Sequence, residues 1–187
     1  MENEKSSLII KAFNTARIPT RYRDLSIGDF VSSVSHEHFR KLVKYFTNYR
    51  RALEMGYGCV LCGPGPGKTS IACIGLCHIL RKEHAGVLFI EAEKFLEAQK
   101  PERVWEVPFL YVDNVKLREL YSPKELRRLD ALIIFRRNRS KPTILSTSVN
   151  WTDTGLPLEY GFFKVLFDND DLRNRVREND RDRFFGS

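Results

Sequence analysis

An α/β domain, with a parallel sheet sandwiched between helices, is predicted by three features of the sequence. Short and almost continuously apolar runs alternate with segments of helical periodicity, the pattern of strands buried on both faces. A glycine-rich turn, "CGPGPGKTS" at 62–70, joins the first such run to a helical segment, which is the setting of a phosphate-binding loop. A length of 187 residues with 42% hydrophobic content suffices for one domain with a full core and is short for two.

The elements follow in order. Residues 6–17 have helical character, and Pro19 with mixed polarity makes "IPTRYRDLSIGDF" a linker, so 1–30 reads as N-terminal helix and linker and 31–187 as the nucleotide-binding domain. Phe39, Leu42, Val43, Phe46 and Leu53 recur at helical spacing across 36–54, while Arg40, Lys44, Asn48 and Arg51 share another face of that helix. That polar stripe has two readings, a solvated face or a nucleic-acid contact. Strands are expected at 57–62, 86–92, 107–113 and 142–148, with a helix over "TSIACIGLCHILRK" and a short one over "EKFLEAQ". Ser122-Pro123-Lys124-Glu125 is a capping box with proline at the first helical position. It opens a helix that points Leu126, Leu129, Ile133 and Ile134 inward and ends in the basic cluster "FRRNRS" at 135–140. The charged, arginine-rich stretch 169–185 reads as a further helix.

A net charge of +7 favours polyanionic partners, nucleic acid first. No apolar run approaches the roughly 20 residues a membrane span requires, and "MENEKSS" lacks the apolar region of a secretory leader, so a cytoplasmic protein without membrane contact is expected. Cys59, Cys62, Cys73 and Cys77 have a spacing that raises zinc. Against zinc, a three-residue offset in a strand sends Cys59 and Cys62 to opposite faces. Cys73 and Cys77 fall one turn apart on an apolar helix face, so reduced core thiols are the preferred reading.

The chemistry centres on the glycine loop. Backbone N–H groups of Gly63, Pro64, Gly65, Pro66, Gly67, Lys68, Thr69 and Ser70, prolines excepted, are placed to line a concavity for phosphate. Lys68 adds a charge for the β- and γ-phosphates, and the Thr69 hydroxyl suits Mg2+, so ATP with Mg2+ is the expected ligand. Glycine usually stands six residues before such a lysine; here that residue is Cys62, and Gly63 is positioned to make the turn instead. Pro66 removes one donor. Asp113, ending an apolar strand, fits a carboxylate that holds Mg2+ together with Thr69. Asn114 stands where hydrolases carry a second acid, and an amide cannot take a proton from water. Thr147 and Ser148 lie at the tip of the last expected strand. Arg173, Arg175 and Arg177 offer charges for a neighbouring subunit's nucleotide, with a solvated arginine face as the other reading.

The segments "ARIPTRYRDLSIGDF", "CGPGPGKTS", "VLFIEAEKFLE", "PFLYVDNV", "FRRNRSKPTILSTS" and "LRNRVRE" resemble, in that order and across nearly the whole chain, the DnaC/IstB-type AAA+ ATPases. These are helicase loaders of replication and helper ATPases of transposition. The resemblance implies an AAA+ core without a C-terminal helical lid, nucleotide-dependent homo-oligomers, and contact with DNA, single strands favoured. It also implies a replicative helicase or a transposase as protein client. By the resemblance Lys68 and Thr69 serve phosphate and metal, Asp113 the metal, Ser148 the sensor position and Arg175 the arginine acting in trans. Cys62, Pro66, Asn114 and Ser148 depart from the family's pattern and point to slow hydrolysis. Three functions are consistent with these residues: a loader or helper ATPase, a non-hydrolysing nucleotide-binding adaptor, and a small-molecule kinase on the same scaffold.

Overall fold

The computed structural model of the protein describes residues 2–27, 37–83, 86–98, 102–158 and 161–167. Its helices are α1 (Glu2–Thr15), α2 (Glu37–Thr47), α3 (Tyr49–Met55), α4 (Lys68–Glu83), α5 (Ala92–Glu97), α6 (Glu102–Glu106) and α7 (Pro123–Asn138). Its strands are β1 (Gly58–Cys62), β2 (Val87–Glu91), β3 (Phe109–Val115), β4 (Thr143–Thr147) and β5 (Phe162–Leu166). They form one sheet in the order β2-β3-β4-β1-β5, every neighbouring pair parallel.

The central strands are buried on both faces because helices cover both. Alternation along each strand divides the core in two. Cys59, Leu61, Phe109, Tyr111 and Ile144 face the layer of α1, α2, α3 and α4. Val60, Cys62, Leu110, Val112 and Leu145 face α5, α6 and α7. Cys59 and Cys62 thus lie on opposite faces, and all four cysteines are buried and unpaired. Burial pushes the Cys77 thiol up to about 11. Among the described residues no three His, Cys, Asp or Glu side chains gather as a metal cluster, and no helix is long and apolar enough to cross a membrane.

Residues 13–22 are part of this packing. Phe13, Ala16, Ile18 and Tyr22 are buried in the same layer as β1 and α4. The Phe89 N–H donates to Ala16 O at 2.8 Å, and Arg81 of α4 donates to the backbone carbonyls of Arg23 and Leu25.

Three features differ from the sequence reading. The expected helix over 36–54 is two helices, broken at Asn48, whose φ of −102° and ψ of 33° leave the helical region. A fifth strand, β5, pairs with the whole of β1. Its phenylalanines are only half-buried, Leu166 is exposed at the sheet edge and Val165 alone is fully buried, so it lacks the dense run that marks the central strands. In α7 the capping box forms as expected, but Ile134 points outward while Arg136, from the basic cluster, is fully buried.

Arg136 faces inward because backbone acceptors await it there. Its guanidinium donates to Val104 O (2.9 Å), Trp105 O (3.3 Å), Val107 O (2.8 Å), Pro108 O (3.2 Å), Pro142 O (2.8 Å) and Thr143 Oγ1 (2.8 Å). Burial pulls its pKa down to about 9, which leaves it charged at neutral pH. A lysine offers three donors on a point charge in place of a five-donor fork. Arg136→Lys is therefore expected to lower the unfolding free energy by about 2–4 kcal/mol in urea titration, against less than about 0.5 kcal/mol for Arg127→Lys on the exposed face.

Candidate nucleotide-binding site

The glycine loop starts one residue later than the motif suggests. Cys62 is the last residue of β1, and its thiol turns into the layer under α7, 3.6 Å from Val165 O. Gly63 makes the turn with φ +102°, and a Cβ there would stand 2.4 Å from Phe167 O, so only glycine fits. Cys62 is thus a strand residue, and the opening glycine has moved along by one. Gly67 has φ +96°, but nothing lies within 4 Å of where its Cβ would be. That open space borders the first turn of α4.

The loop's donors are divided between structure and solvent. Gly63 N–H donates to Val149 O at 3.1 Å, and Gly65 N–H to Phe167 O at 3.0 Å. Pro64 and Pro66 have none to give. Pro66 was expected to cost one donor; the Phe167 carbonyl engages Gly65 as well. The first internal bond of α4 runs from Ile71 N–H to Gly67 O (3.0 Å), which leaves the N–H groups of Gly67, Lys68, Thr69 and Ser70 without intrahelical acceptors. Together with the positive end of a 16-residue helix they form a concavity suited to an anion.

Lys68 folds back over the loop. Its Nζ donates to Gly63 O at 2.7 Å and to Gly65 O, with the Phe167 ring 5.4 Å away. Burial lowers its pKa, opposed by the nearby Cys62 and Asp113. A ligand phosphate would replace those two carbonyls with stronger, charged acceptors.

Asp113 is the centre of a hydroxyl cluster. Thr69 Oγ1, from the start of α4, lies 3.1 Å from each carboxylate oxygen. Tyr111 and Ser146 both donate to Oδ1. Burial and the charge of Asp113 hold the Tyr111 pKa well above the ordinary phenol value, so its proton stays on to donate. Ser146 Oγ in turn accepts the Asn114 N–H at 3.0 Å. Thr69 Oγ1 and the Asp113 carboxylate are hard oxygen donors, the set that Mg2+ prefers.

Asn114 sits at φ +60°, where β3 shifts register against β4 between Val112 and Val115. Asparagine is among the few non-glycine residues that accept this conformation readily. The irregularity leaves its side chain exposed. Ser148 lies past the end of β4 and is exposed; Ser146, two residues earlier and buried, is the one that reaches Asp113. Arg173, Arg175 and Arg177 lie outside the described residues. Tyr111 and Ser146 are additions to the residues read from sequence. Tyr111 shares a strand face with Asp113 by the period of two, so it was findable; Ser146 required the β3–β4 pairing.

The DnaC helicase loader superposes with a TM-score of 0.64 over 80% of this chain and 99% of its own, at 17% identity. DnaI gives 0.59 over 89% and 90%, at 16% identity. The chain has the fold of the DnaC helicase loader and of DnaI. The replication initiator DnaA bound to AMPPCP and single-stranded DNA gives 0.59 over 89% of this chain and 56% of that one, at 17% identity. No protein-family model and no curated protein sequence matches the chain. In this fold, Lys68, Thr69 and Asp113 gather at the carboxyl ends of β1 and β3, where open α/β sheets take ligands.

Ser146→Ala leaves the part-buried Asn114 backbone N–H without its acceptor and removes a donor to Asp113. It is expected to cost about 1–3 kcal/mol in chemical denaturation, while Ser148→Ala stays within about 0.5 kcal/mol.

Proposed function

We propose that this chain is an ATP-binding AAA+ protein of DNA replication, acting as a helicase loader that assembles on ATP and hydrolyses it slowly. The observation that supports it best is the meeting of Thr69 and Asp113, beside Lys68 and the open first turn of α4. On this reading the N–H groups of Gly67 to Ser70 hold the β-phosphate and Lys68 leaves the loop carbonyls to bridge to the γ-phosphate. Thr69 and Asp113 would hold Mg2+, which would supply neutralisation of charge on the phosphates. Tyr111 and Ser146 fix the orientation of the Asp113 carboxylate. Arg175, presented by a neighbouring copy, completes the site in trans, which makes turnover depend on assembly. Single-stranded DNA and a replicative helicase are the partners.

Slow turnover follows from Asn114. An amide can orient a water but cannot accept its proton, and such general-base help contributes about 10²–10⁴-fold. The same residue favours a second reading, in which nucleotide is a switching ligand for an adaptor between DNA and a helicase or transposase. The Asn114 side chain is exposed, at φ +60°, and carries no ionisable group.

Lys68→Ala is expected to weaken ATP binding at least tenfold, and to abolish the mass increase seen by light scattering on adding ATP–Mg2+. Unchanged binding and assembly in that variant would remove the nucleotide reading. Asn114→Asp keeps a residue that tolerates the backbone conformation and restores a carboxylate. A rise in phosphate release of about tenfold or more favours the slow ATPase; no release from either protein, with assembly intact, favours the adaptor.

A further inference from the structure

We propose that the outer face of the kinked α2–α3 helix is a binding surface for single-stranded DNA, at the end of the sheet opposite the phosphate loop. The proposal deepens the reading above, because it gives the DNA contact a location. It rests on the DNA part of that reading and is independent of the nucleotide part.

The position follows from the strands. Tyr57 immediately precedes β1, and Phe163 is at the start of β5, so both mark the amino-terminal edge of the parallel sheet. Gly63 and Lys68 are at the other edge, about 17 Å away along β1.

Lys41, Lys44, Asn48 and Arg51 are spaced by three, four and three residues, which places them in one row. The helix break does not interrupt that row. Asn48 N–H donates to Lys44 O at 3.0 Å, and Arg51 N–H donates to Asn48 O at 2.9 Å, so backbone bonds continue through the junction. Beside the row lies a cavity of about 420 Å³ with an apolar floor of Tyr45, Ala52 and Phe163. One wall is Tyr57, whose side chain and backbone together are 48% exposed. The Tyr45 hydroxyl donates to Tyr57 O at 2.9 Å, and the Tyr45 ring packs edge-on to Phe163 at 4.9 Å, so the aromatic wall stands on fixed supports.

On the far side of Asn48 and Arg51 a second concavity of about 780 Å³ carries Arg50, Lys82 and the half-exposed Met55. Glu54 is the acid in its lining. His78, also there, is held below its usual pKa by burial and by Lys82 and Arg81, and so adds no charge at neutral pH.

A strand whose bases are unstacked presents an aromatic face and a phosphate in alternation. An open aromatic cavity, a cationic ridge and a second cationic groove match that alternation. A duplex keeps its base faces covered and cannot use the cavity. The choice of DNA over RNA follows from the replication reading above, on which this proposal rests. An acidic polypeptide would satisfy the lysines but has no flat aromatic group at each charge.

The test measures fluorescence anisotropy of a labelled (dT)20 strand against the full chain at several salt concentrations. Lys44→Glu/Arg51→Glu should weaken binding at least about tenfold and flatten the salt slope by about 1.4 or more. Tyr57→Ala should lose roughly 5- to 100-fold, and Tyr57→Trp should retain binding, because any aromatic face can stack. All three should keep the wild-type unfolding midpoint and the affinity for an ATP analogue. The proposal is overturned if wild-type protein does not bind (dT)20 or if the variants bind it as wild type does. It is overturned equally if duplex DNA, oligo(rU) or poly-glutamate competes as well as unlabelled (dT)20. Those results leave the nucleotide reading standing, and an unaffected Lys68→Ala leaves this surface standing, so the two failures are distinct.

Discussion

Six acceptors converge on the guanidinium of Arg136, and five of them are backbone carbonyls from the ends of α6 and the starts of β3 and β4. A charge this deeply buried is costly unless its donors are satisfied. Here satisfaction comes from main chain, so the arginine fixes where two adjacent strands begin relative to each other. The pairing that starts there, Leu110 with Thr143, runs on through Val112 with Leu145 to the shift before Val115. That shift brings Ser146 to Asp113 and turns Asn114 out. The position of the carboxylate at one end of the sheet therefore depends on an arginine at the other.

The loop and the carboxylate are linked in the same way. Three hydroxyls from α4, β3 and β4 share the oxygens of Asp113, and Lys68 rests on carbonyls of its own loop. Phe167, just past β5, receives the Gly65 N–H and gives its own N–H to Cys62 O at 2.8 Å. The phosphate loop is thereby pinned by the edge strand on one side. What stays unsatisfied is the first turn of α4, where four N–H groups lack intrahelical acceptors and the space beside Gly67 is open.

Much of this was legible in the residues. The four central strands are dense apolar runs, and burial on both faces leaves them no other pattern. The capping box of α7 is local chemistry, so Ser122 and Glu125 announced it. The pair Lys68-Thr69 after a strand and before a helix located the site. β5 was harder to see because an edge strand with half-buried phenylalanines carries a weak signal. The break at Asn48 was hidden by apolar spacing that continues across it. Arg136 was hidden for a different reason: within "FRRNRS" nothing local separates the arginine that turns in from those that turn out.

By itself, the sequence determined the alternation of strands and helices, the glycine loop and the acid at the end of β3, because each depends on a residue and its near neighbours. The tertiary structure decided what those residues face. Cys62 ends β1 and Gly63 makes the turn, as the sequence led one to expect, but the reason lies in the packing: Phe167 O leaves no room for a Cβ at 63. Asn114, a missing acid by pattern, is the residue that suits a positive φ at the register shift. Ser146 and Tyr111, which share no motif, hold the carboxylate. Such roles come from distances between segments far apart in the chain, and no local rule of spacing contains them.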